Sequence, residues 1–252
     1  MSLFGLTAQG FRAHRLLELK IKAEFSMPCS SDLLDSLQEM CNCEASDPRD
    51  LIYACFGTSS HTYGLHPDYA SSLSVEDVLV RVAQNVITHR KSLGILRSAY
   101  VTNKNSLPSD IPSWVPDWRT YSRTPEGDRH GLLPQLTDFF AFHPDERGRP
   151  GRILQVRGLF IKIVGSGEKW PRGISSSHDN VPLVGDGDDG DEVYLLHGLG
   201  NLFVLRRCKE YFVVVGEVLG SDGILPGVDI LLNDLDRMVE KNDPAVVVIN
   251  IC

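Results

Sequence analysis

Ile153-Leu154-Gln155-Val156-Arg157 and Leu159-Phe160-Ile161-Lys162-Ile163-Val164 are two adjoining runs of β-branched, aliphatic and aromatic residues that set the character of the second half of this 252-residue chain. Similar runs recur at 192–196, 202–206, 211–218 and 245–251, rich in Val, Ile, Leu and aromatics and separated by glycine-bearing turns. Short strands joined this way predict a small antiparallel barrel or meander over 151–252, with a short helix at 233–240 inside it. Gly198-Leu199-Gly200 lacks the strand-turn-helix setting of a dinucleotide loop and reads as a hairpin turn.

Upstream, the pattern is helical. Apolar residues alternate with Arg, Glu and Lys from Leu6 to Phe25, predicting a first helix. Ser30 or Ser31 with Asp32 caps a second, carrying Leu33, Leu34, Leu37 and Met40 on one face. Ser46 or Asp47 caps a third, with Pro48 at its first position, Asp50 in its first turn and Gly57 as its stop. Ser74 opens a fourth whose buried stripe is Val78, Leu79, Val82, Val86 and Ile87. Between 103 and 150, seven prolines from Pro108 to Pro150 exclude long helices. The expected architecture is α+β: a helical subdomain over 1–102, a proline-rich bridging segment over 103–150, and a β-rich subdomain over 151–252 on which the helices pack.

Composition narrows the function classes. A net charge of −8 opposes nucleic-acid binding, which needs clustered Lys and Arg. No apolar run nears the roughly 20 residues that span a bilayer, and the N-terminus has no signal-peptide layout, so a cytoplasmic protein is expected. The six cysteines lack metal-ligand spacing and read as reduced, packed thiols. Neither a metal nor another cofactor is expected. The acidic run Gly185 to Glu192 fails the calcium-loop pattern, with Asp191 where a glycine belongs and His197 where a glutamate belongs. It reads as a solvated turn before a strand.

Two motifs remain, Asp47-Pro48-Arg49-Asp50-Leu51-Ile52-Tyr53-Ala54 and Ile111-Pro112-Ser113-Trp114-Val115-Pro116-Asp117-Trp118. An arginine between two aspartates at a helix start suits bidentate bracing of a neighbouring loop, and Tyr53 lies near the face of Asp50. Trp114, Trp118 and Tyr121 form an aromatic cluster on a proline-stiffened loop, and Phe139, Phe140, Phe142 and His143 form a second. Each cluster suits either a plugged seam or a lined pocket.

Together with Pro67-Asp68-Tyr69, these motifs make the chain resemble the fungal heterokaryon-incompatibility (HET) family, in the region beyond the domain that gives the family its name. The resemblance extends intermittently over about residues 30 to 220, including Gly190 to Arg206 and Tyr211 to Glu217. The family's TIR-like opening domain has no counterpart here, so activities residing in it are expected to be absent. Relatives of the family are associated with fungal secondary metabolism, one as a Diels–Alder-type cyclase in terpenoid biosynthesis. The resemblance therefore implies a cofactor-independent cyclase performing an intramolecular [4+2] cycloaddition on a hydrophobic small molecule, by shape and by hydrogen-bond polarisation of a carbonyl. In that reading Trp114, Trp118, Tyr121, Phe139 and Phe140 line the cavity. Arg119, Tyr53 or His130 donates the hydrogen bond, while Arg49, Asp50 and Asp117 hold the loop. The alternative is a non-enzymatic module that binds another protein, a truncated incompatibility or regulatory protein. The oligomeric state is not legible in the sequence.

Overall fold

The protein is described from a computed structural model, over residues 32–39, 45–102, 110–119, 140–165, 183–185, 188–218 and 228–252. The helix expected over Leu6–Phe25, and the candidate residues Tyr121, His130 and Phe139, lie outside these residues. Elements are numbered in chain order: α1 (Leu33–Glu39), α2 (Asp50–Phe56), α3 (Val75–Arg90), α4 (Leu96–Thr102), β1 (Ala141–His143), β2 (Ile153–Ile163), β3 (Leu183–Gly185), β4 (Glu192–Leu196), β5 (Leu202–Cys208), β6 (Tyr211–Val218), α5 (Val228–Glu240) and β7 (Val246–Ile251). The fold is mixed α+β with a mostly antiparallel sheet. The chain forms two compact units, Met1–Val75 with Trp118–Arg123, and Glu76–Asp117 with Thr124–Cys252.

In the first unit α1 packs on α2. Leu33, Leu34 and Leu37 are buried from α1, and Ile52, Tyr53 and Cys55 from α2. Helix α2 starts two residues later than its proline suggests. Asp47 serves the backbone instead, accepting the Arg49 N–H at 2.9 Å.

The second unit is built around a seven-stranded sheet. The two runs that open the sequence reading are one strand, the 11-residue β2. One edge of β2 takes β1 at Ile153–Gln155 and then β4 from Gly158 onward, and the other takes β7 from Leu154 to Leu159. Strands β4, β5 and β6 follow as an antiparallel meander. Gly198 sits at positive φ in the turn that joins the first two, as expected of that Gly-Leu-Gly stretch. Strand β7 also meets β6, in parallel, at the single pair Phe212–Ile251. Strand β3 adds to β6 at Gly216–Val218. Strands β1 and β3 are three residues each, too short for an alternation pattern to register, and the sequence reading misses both.

Helix α5 begins at Val228, five residues before its expected start. Its stripe Val228, Leu232, Leu235 and Val239 joins Val193, Leu195, Leu202, Val204 and Val218 of β4–β6 in one core. Helix α3 starts one residue after the Ser74 expected to open it and buries the expected stripe, with acidic residues in its first turn and His89 and Arg90 in its last, both favourable to the dipole. Its Gln84 donates to the Gly151 C=O at 3.0 Å, where Gly151 takes φ +66°. Helix α4, which packs on β6, has no counterpart in the sequence reading. Its apolar content is short and abuts α3 without a clear break. Among the described residues no helix is long and apolar enough to cross a membrane.

Gly158 explains how the two apolar runs become one strand. A Cβ at this position would lie 2.7 Å from Ile249 Cδ1 and 3.0 Å from the Leu195 carbonyl oxygen, so strand neighbours on both sides close over it. Replacing Gly158 by alanine is expected to lower unfolding free energy by about 1–3 kcal/mol, the usual cost of overpacking. Urea denaturation of the variant, compared with Gly57→Ala at an exposed position of ordinary negative φ, measures it.

Candidate functional site

Both sequence motifs act first on the chain itself. In the first unit, Arg49 engages Asp47 through Nε at 3.1 Å to each carboxylate oxygen and through Nη2 at 2.8 Å to Oδ2. Its Nη1 donates to the carbonyls of Ala70 and Leu73 at 3.1 and 3.2 Å. That fork holds Asp47 well below the usual carboxylate range and Arg49 above its own. Tyr53 donates its hydroxyl to the Asp68 C=O at 2.8 Å. Tyr69 donates to Asp50, its ring edge-on to Tyr53 at 5.1 Å with the Arg49 guanidinium 5.4 Å from its centroid. The bond to Asp50 pushes the Tyr69 phenol up to about 12. The Asp-Pro-Arg-Asp helix start and the Pro-Asp-Tyr step are thus one assembly in which residues 47–53 grip residues 68–73.

In the second unit, the loop 110–117 is inlaid among strands. Trp114 is fully buried; its Nε1 donates to the Arg152 C=O at 3.1 Å, and its ring stands 5.6 Å from Phe142, itself 5.6 Å from Phe140. Arg152, buried at the head of β2, donates to the Asp110 carbonyl and to the Asp77 carboxylate of α3. Ser113 forms the joint. Its N–H donates to the Cys252 C=O at 2.9 Å, its hydroxyl donates to the same oxygen, and its Oγ accepts the Val214 N–H at 3.0 Å. The register of β6 on β5 slips between Val204 and Leu205, leaving Val215 as the extra residue of a bulge beside Val214.

The expected site residues therefore divide. Tyr53, Arg49 and Asp50 come together in the first unit, and Trp118 belongs to the same unit. Trp114, Phe140 and Asp117 are in the second, Asp117 being buried and Phe140 half-buried with Lys91 Nζ 5.9 Å from its ring. Arg119 is half-buried. Trp118 differs from the other described residues of the set: its side chain is 4% exposed and its Nε1 has no hydrogen-bond partner among the described residues.

Three polar features escape the sequence reading, because each depends on a partner far along the chain. Glu217 is buried and is met by Asn201 and by Arg97 of α4 at 3.1 Å. Asp191, read as part of a solvated acidic turn, is buried under Arg206, which lies 2.9 Å from it and keeps its carboxyl below the usual range despite burial. His197 ends β4 with its Nε2 3.0 Å from Asp236 of α5. Burial holds the His197 imidazole below its ordinary value of 6.5, although Asp236 pulls the other way. Among the described residues no three His, Cys, Asp or Glu side chains converge as a metal ion needs.

Two measurements follow from this geometry. Ser113→Ala leaves the buried Val214 N–H without its acceptor and is expected to cost about 1–3 kcal/mol, read by chemical denaturation. Because the folded pKa of His197 is depressed, its contribution is complete above pH 6.5 and is lost as pH falls below 6.5 through the lower folded value. The slope of melting temperature between about pH 7 and pH 5 should therefore flatten in His197→Gln, whereas paired carboxylates such as Asp191 act at lower pH.

Comparison with known proteins returns a partial likeness. The chain is 30% identical over 94 residues to heterokaryon incompatibility protein 6, OR allele, of Neurospora crassa, a match covering 31% of this chain and 14% of that protein. The chain thus matches about a seventh of that relative's length. No protein-family model matches the chain, and no solved structure matches it. In sequence, this chain is similar to a segment of a fungal incompatibility protein.

Proposed function

We propose that this chain is a non-enzymatic recognition module of the heterokaryon-incompatibility type, which binds another protein. The carrying observation is where its motif residues direct their polar groups. Arg49, Tyr53 and Tyr69 bond within the chain and hold the largely exposed loop 68–73 in one arrangement, while Ser113 and Trp114 fix the buried loop 110–117 within its own unit. Pre-organised loops on a packed scaffold lower the entropic cost of binding a partner. The similarity to an incompatibility protein supports the same reading.

One observation favours a second reading, the cofactor-free cyclase. Trp118 Nε1–H is a buried donor with no acceptor among the described residues. Aimed at a substrate carbonyl, it would withdraw electron density from a dienophile and lower the barrier of a [4+2] closure. In this reading Trp118 supplies the hydrogen bond expected of Arg119, Tyr53 or His130, and the substrate is a hydrophobic terpenoid carrying a conjugated carbonyl.

Native mass spectrometry of the chain, isolated from a fungal cytosol after gentle cross-linking, separates the two readings. The module reading expects a protein of defined mass at fixed stoichiometry, whose binding is rebuilt from purified components and weakened by Arg49→Met. It is overturned if no protein is captured and a small molecule of terpenoid size is bound instead. Loss of that small molecule in Trp118→Phe, which removes only the N–H donor and a little ring area, would carry the cyclase reading.

A further inference from the structure

We draw no further inference here: the strongest candidate, the aromatic row of Phe160 on β2, Tyr194 on β4 and Phe212 on β6, carries nothing, because its cation-accepting end is already taken by Arg207 paired with Glu192 and nothing in the structure shows what covers the exposed Phe160 ring.

Discussion

One edge of β6 must find hydrogen-bond partners in three unconnected parts of the chain, and much of the second unit is arranged around that demand. Strand β5 occupies the other edge throughout. On the contested side, β3 serves Gly216 to Val218, the Ser113 hydroxyl serves Val214, and the residues around Ile251 and Cys252 serve Phe212. Buried backbone groups left unpaired are costly. The loop carrying Trp114 is therefore fixed as a substitute strand, at the point where β7 stops and β3 has not begun. This accounts for a serine inside an aromatic, proline-rich motif: its hydroxyl accepts on one side and donates on the other, which neither alanine nor valine can do.

The same logic governs the motif of the first unit. A guanidinium with one side taken by Asp47 still has donors for two carbonyls of a distant loop, whereas a lysine offers no planar fork. Tyr53 and Tyr69 complete the grip through a carbonyl and a carboxylate. The cluster holds the irregular backbone of residues 68–73 in place.

How much of this was legible depended on the range of the interaction. The stripe of α3 and the runs of β4, β5, β6 and β7 could be read because periodicity is local. Bracing by Arg49 could be anticipated from its neighbours, though not the carbonyls that it reaches. The burial of Asp191 could not, since nothing near it in sequence announces Arg206, 15 residues on. Gly158 resembled a break between strands because glycine usually is one. Only Ile249 of the neighbouring strand β7, closing over it, makes it a requirement of continuity. Glu217 and His197 have polar side chains within apolar stretches, a signal of importance without an address.

The joint at Ser113 has a consequence for how the molecule is made. Its partner carbonyl lies 139 residues further along the chain. At ribosomal speeds of about 5–20 residues per second, the Trp114 loop waits on the order of ten to thirty seconds before its last contacts exist. During that interval its tryptophans and the apolar runs of β2, β4 and β5 have no finished surface to bury against. Nascent-chain chaperones therefore have a long window on this protein, and pauses in translation between β2 and β7 would bear directly on its yield.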